Sequence, residues 1–189
     1  MRRPLVIAIV AGLLAAGMAS CARETEATAS PTAGVRSAGV REVEIYVQVL
    51  RRYLGTPQEN SFPGQTFKTV YVLDQAYPDA GEPSGKRGPG TSIGPDTQHQ
   101  ITAALTRVAD VAFISDRTAV IETKSGCAQV KDGGILITLG TADGDDHEVQ
   151  VAINGFVACT GATWLTYVVQ NQPDSGWRVT GTTGPMAVS

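Results

Sequence analysis

The stretch "HEVQVAINGFVACTGATWLTYVVQNQPDSGWRVTGTTG", His147 to Gly184, decides the fold. Val149, Val151 and Ile153 alternate with polar or small residues, the period-two signature of a half-buried strand. The alternation breaks at Gly155, where a bulge is expected to bend the strand and re-aim Phe156 and Val157. His147 shares the parity of the three apolar residues, which points it toward the covered face near an edge. Further on, Leu165, Tyr167 and Val169 share one face, and Trp164 and Val168 share the other. Pro173-Asp174-Ser175-Gly176 is turn chemistry, and the segment from Trp177 reads as a closing strand.

Upstream the pattern continues. "VAFI" from Val111 and "TAVIET" from Thr118 are short strand candidates. "CAQV" from Cys127 and "ILITLG" from Ile135 read as a hairpin turned at Asp132-Gly133-Gly134. Everything after Val111 is thus expected to be an antiparallel meander of hairpin-linked strands. Before it, Phe67–Leu73 reads as a strand, continuously apolar from Val70 to Leu73 and so covered on both faces.

Two helices complete the set. Val43, Tyr46, Val47, Leu50, Tyr53 and Leu54 recur at spacings of three and four, with Gly55 and Pro57 as stop signals. "DTQHQITAALTRVAD" offers Asp96 or Thr97 as N-cap and Ile101, Ala104, Leu105 and Val108 as a buried stripe, leaving His99 in solvent. Helix, strand, helix and then a run of strands is an α+β arrangement. The expectation is one domain, residues 41–189, with both helices packed on the concave face of a curved antiparallel sheet. This element order resembles the cystatin-like and nuclear-transport-factor-like cone folds. The resemblance implies an architecture and no activity, because such folds host many functions.

Between the first strand and the second helix, residues 78–96 carry four prolines and many glycines without periodicity. A loop of this length in a compact domain is functional or mobile. It lacks GxxxxGK[ST], and Lys86-Arg87 sits inside the loop, so phosphate-loop chemistry is not indicated. Loops on a rigid frame carry recognition, and Glu82, Lys86 and Arg87 are its candidate contact residues.

The N-terminus supplies an address. Arg2 and Arg3 precede "PLVIAIVAGLLAAGMAS", apolar or small and free of charge, as in a secretory signal peptide. Met18-Ala19-Ser20-Cys21 resembles the bacterial lipoprotein box, with Met18 in place of the more usual leucine. The resemblance implies a signal of residues 1–20, lipidation of Cys21 and a prokaryotic source. Membrane attachment is then by acyl chains at the extracytoplasmic face of the cell membrane. The high Gly, Ala and Val content points to a GC-rich genome such as an actinomycete's. Residues 22–40 are small and polar and read as a flexible tether, with a span of roughly 25 Å for about 19 residues.

With Cys21 assigned to lipid, Cys127 and Cys159 remain, and an exported chain pairs two such thiols as a rule. Neither lies in C-x-x-C, and neither has a histidine at ligand spacing. The net charge of −3 falls to −5 once Arg2 and Arg3 are lost, with no basic stripe, so nucleic acid is not an expected partner. No motif calls for a cofactor.

Catalytic sets are not legible. There is no GxSxG, and His99 and His147 are the only histidines. Asp143–Glu148 clusters oxygen ligands but lacks the EF-hand pattern, and turns attract Asp and Gly for backbone reasons. Asp74, Glu122 and Glu148 are the acids a hydrolase would have to bring together. The reading that fits is a lipid-anchored, non-catalytic binding module for an envelope protein or small ligand. The alternatives are an envelope enzyme with a pocket between helices and sheet, or a structural envelope component. Cys21→Ala is expected to leave the protein unprocessed or released, as membrane fractionation would show; a processed, membrane-retained variant would refute the anchor.

Overall fold

A computed structural model describes residues 32–83 and 87–189, with side chains from Gly39 onward. Cys21, the signal-like segment and Lys86 lie outside the described residues. The elements run α1 (Thr32–Gly55), α2 (Pro57–Asn60), β1 (Val70–Leu73), β2 (Gln75–Ala76), β3 (Thr91–Ser92), α3 (Pro95–Leu105), β4 (Val111–Ile114), β5 (Ile121–Lys124), β6 (Cys127–Val130), β7 (Ile135–Leu139), β8 (Asp143–Gly144), β9 (Glu148–Ala158), β10 (Gly161–Gln172) and β11 (Gly176–Val188). The fold is α+β, as the pattern implies. No helix among the described residues is long and apolar enough to cross a membrane. α1 takes in residues 32–40, which composition assigns to the tether.

The main sheet is mixed, and this corrects the all-antiparallel meander. Its order is β11-β10-β9-β7-β1-β4, and β1 runs parallel to both β4 and β7. Parallel neighbours need a crossover, and the segment carrying α3 supplies it between β1 and β4. All five residues of β7 are buried. A strand apolar on both faces belongs in the middle, and β7 sits between β1 and β9. The expected hairpin of "CAQV" with "ILITLG" is therefore absent. β6 pairs instead with β5 and touches β9 at Gln129↔Ala158. A single 3-10 turn at Lys131–Gly133 redirects the chain, and Gly134 passes so close to β1 that a Cβ there would lie 2.8 Å from Thr69 O.

Each face has its own apolar cluster. On one, Ile45, Tyr46, Val49, Leu50 and Tyr53 of α1 and Ile101 and Leu105 of α3 share a core with Val70, Ile137, Val151, Ile153, Leu165 and Tyr167. Ile45 and Val49 widen the α1 stripe beyond the expected set. α3 is narrower than expected: it ends at Leu105, Ala104 is exposed and Val108 is 47% exposed. Its N-cap is Gly94, with Pro95 as first helical residue, so neither Asp96 nor Thr97 caps it. On the other face Leu73, Val120, Val130 and Leu136 gather, with Tyr71, Tyr77 and Phe156 against them.

Gly155 does not mark a bulge. It stays in register with Ile137 and Thr163, and the alternation continues through it. The missing side chain makes room for α1: a Cβ would lie 2.7 Å from Tyr53 Cζ, and Tyr53 is fully buried. The Tyr53 hydroxyl also hydrogen-bonds Thr163 Oγ1. The β9–β10 ladder slips two residues further on, where Gly161 pairs Ala158 and Ala162 pairs Phe156, leaving out Val157, and β10–β11 slips at Trp164/Thr166 and Val168/Val169.

Cys127 and Cys159 form the disulfide, with Cα atoms 5.2 Å apart and a sequence separation of 32. It fastens the β5–β6 hairpin to the β9–β10 connection, where Cys159 N–H also donates to Ala128 O at 2.7 Å. In the chain-entropy account such a loop contributes about 3–4 kcal/mol.

Gly155→Ala is expected to destabilise the domain by about 1–3 kcal/mol, the usual cost of overpacking a close contact. The cost should shrink in a Tyr53→Leu background, as denaturant unfolding of the four chains would show. Equal costs in both backgrounds would remove Tyr53 as the reason for the glycine.

Candidate functional site

The side of the sheet facing α1 offers little room. Tyr53, Tyr167 and Leu50 fill it, and Asn60, Tyr167 and Glu59 are hydrogen-bonded around them. Asn60 Nδ2 donates to Tyr53 O at 2.8 Å, and Phe62 N–H donates to Asn60 Oδ1 at 2.9 Å. Tyr167 donates to Glu59 Oε2 at 2.8 Å, and Arg52 Nε donates to both Glu59 oxygens at 3.0 Å. Burial works to raise the Glu59 pKa, but the hydrogen bonds from Arg52 and Tyr167 outweigh it and hold the carboxyl below its ordinary value.

Two clefts open at the margins of this side. One of about 320 Å³ lies between α1, Ala104 and the β10–β11 turn, and includes Arg51, Trp177 and Arg178. Another, of about 290 Å³, lies between α1, Thr91 and Thr141. It holds Glu42, whose carboxyl is pushed up by burial despite a hydrogen bond with Tyr46. The Tyr46 hydroxyl in turn donates to Gly140 O at 3.0 Å. The charged neighbour Arg41 is already engaged by Asp145 O, by Asp146 at 3.6 Å and by the Trp177 ring at 5.2 Å.

The opposite side of the sheet is different. A two-stranded ribbon, Gln75↔Ser92 and Ala76↔Thr91, closes the long loop at its base, and the loop is described over residues 77–83 and 87–90. Inside the loop, Asp79 Oδ2 accepts from Gly88 N–H at 3.0 Å. Gly81 lets the loop backbone settle on the strands: a Cβ there would meet Thr166 Oγ1 at 3.1 Å and Ala152 Cβ at 3.2 Å. The stretch that composition reads as functional or mobile thus has described residues seated on the strands, with Gly81 against Ala152 and Thr166.

Against these residues lies a polar cavity of about 200 Å³. Asp79, Glu82 and Arg87 come from the loop, Arg117 from the 3-10 turn after β4, and Asn154, Phe156 and Trp164 from β9 and β10. Asn154 and Trp164 face each other across the ladder, and Asn154 Nδ2 is committed to Thr163 O at 2.9 Å. Arg87 stacks on Tyr77, its Cζ 5.4 Å from the ring centroid. Although Arg87 as a residue is exposed, its guanidinium is crowded by the loop. That desolvation, and then the like charge of Arg117, lowers its pKa from the ordinary arginine value. Asp79 Oδ1 is shielded from water and accepts no hydrogen bond among the described residues. An orphaned acceptor of this kind costs about 1–3 kcal/mol, more when charged.

Of the expected contact residues, Glu82 and Arg87 line this cavity, while Lys86 lies outside the described residues. Asp79, Arg117 and Trp164 were not singled out from sequence; an acid nine positions before a loop glycine carries no local signature. The candidate hydrolase acids stay apart. Glu122 accepts from Gln129, Glu148 accepts from Gln170, and Asp74 lies just after β1; no cavity described above contains two of them.

His99 is exposed as expected. His147 is exposed too, because it lies in the turn before β9 and not in the strand, which corrects its inward placement. The Asp143–Glu148 cluster is a turn: Asp145 Oδ1 accepts from His147 N–H at 2.8 Å and Glu148 N–H at 3.0 Å. Among the described residues no group of three or more His, Cys, Asp or Glu is arranged to hold a metal ion. No family model matches the chain, and neither the curated proteins nor the solved structures give a match.

Asp79→Ala should release the loop from its internal clasp. Trypsin is expected to cut faster after Arg87 with the melting temperature nearly unchanged; an unaltered cleavage rate would show that the clasp does not hold the loop.

Proposed function

We propose that this protein is a lipid-anchored extracytoplasmic lipoprotein whose ectodomain is a binding module, with the loop-bearing face of the sheet as its recognition surface. The lipobox-like Met18–Cys21 supports the anchor. The finer architecture we propose is a cone-like one, with α1 and α3 together closing the inner side of the curled sheet. In this arrangement one side is spent on stability and the other is left for recognition.

The observation that carries the reading is the contrast between the two sides. The α1 side is filled by Tyr53 and Tyr167. The other side carries a clasped loop over a polar cavity with uncommitted charges. Arg87 and Arg117 line the same cavity, so a ligand of opposite charge there would be held by both. The membrane is a partner through the lipid alone; the envelope protein or small ligand meets the loop face.

Hydroxyl-radical footprinting, on cells and on purified protein, tests this. Tyr77, Phe156 and Trp164 are expected to lose reactivity on cells, while His99 on α3 does not. Equal reactivity of the three aromatics in both settings would contradict a recognition role for this face.

A further inference from the structure

We infer that the cavity lined by Asp79, Glu82, Arg87 and Arg117 binds a small carboxylate that also carries a hydrogen-bond donor, an amino or hydroxy acid. The inference rests on the binding-module reading above and names its ligand class.

Charge is the first argument. The cavity brings together two guanidinium groups, Arg87 and Arg117, with two carboxylates, Asp79 and Glu82. Two guanidiniums on one small space repel each other, and an anion between them relieves that repulsion. Guanidinium groups match the planar carboxylate through paired N–H donors. Arg87 is already oriented by stacking on Tyr77, so less freedom is lost when it grips.

The second argument is the unsatisfied acceptor. Asp79 uses Oδ2 to hold Gly88 and leaves Oδ1 with no partner among the described residues. Asp79 lines the cavity, and its soft carboxylate torsion lets Oδ1 turn toward a donor there, exchanging the hold on Gly88 for the ligand. What completes it is an N–H or O–H donor. A simple anion would satisfy the arginines and leave Asp79 orphaned; a simple cation would do the reverse. A ligand bearing both groups satisfies the two ends together.

Size is the third. About 200 Å³ is below the roughly 300–1,000 Å³ of sites that take drug-sized ligands. Phe156 and Trp164 give the floor an apolar part, which suits a short aliphatic body between the polar ends.

The test is isothermal titration of the processed full-length protein with glycine, glycolate, acetate and ethanolamine at neutral pH. Glycine and glycolate are expected to bind about tenfold or more tighter than acetate or ethanolamine, because each adds a charge-assisted hydrogen bond. Arg117→Gln, on an exposed turn, should weaken glycine and acetate alike without shifting the melting temperature. Asp79→Asn should abolish the preference for glycine over acetate. Acetate binding as tightly as glycine, Arg117→Gln without effect, or inorganic phosphate preferred to every carboxylate would overturn the ligand class. If no probe binds while the loop aromatics are still protected on cells, the ligand class fails and the binding module stands. If the aromatics are unprotected as well, both fail.

Discussion

Tyr53 lying against Gly155 is the contact on which the rest of the structure depends. The ring occupies the space a side chain would take in β9, and its hydroxyl reaches Thr163 in β10. One residue of α1 thereby fixes the helix against two strands at their closest approach. The neighbouring pairs follow from that depth: Asn60 reaches the Tyr53 carbonyl, and Tyr167 meets the Glu59–Arg52 pair. Buried hydroxyls are tolerable only when bonded, so depth and pairing come together.

Filling one side of the sheet so completely has a consequence for the other. A curled sheet has two faces, and the stability carried by α1 and α3 leaves the second face free to depart from a plain apolar core. There the β5–β6 hairpin, tied down by Cys127–Cys159, covers one region, and the loop carrying Asp79 and Arg87 covers another. The gap between them collects charges from elements distant in sequence. Arg87 and Arg117 are thirty residues apart in the chain, and Asn154 and Trp164 come from the adjacent ladder. Such a mixed charge set in a polar, walled cavity contributes little to folding, and that is why it reads as a site.

Much of the fold is legible in the sequence because strong periodicity survives tertiary context. The α1 stripe, the alternation of Val149, Val151 and Ile153, and the opposed faces of β10 all hold. Cys127 and Cys159 pair, as their place in an exported chain leads one to expect. What failed was strand order. Adjacency in sequence suggested that "CAQV" and "ILITLG" form a hairpin, but five buried residues in a row demanded a central position beside β1. Gly155 was read through its backbone freedom, whereas its meaning lay in a side chain from α1, a hundred residues away. The site was half legible: Gly and Pro marked the loop, and Glu82 and Arg87 fell in the cavity. Arg117 and Asp79 carried no signal, because nothing local says that two loops will meet over one ladder.

The most direct measurement is a crystal structure of the protein with glycine bound. The account predicts the carboxylate between Arg87 and Arg117, with the ammonium within hydrogen-bond distance of Asp79 Oδ1. A collapsed, empty cavity in which Arg87 has turned to pair with Asp79 would contradict it. The charges would then be satisfied by each other, and the loop-bearing face would have no ligand to explain.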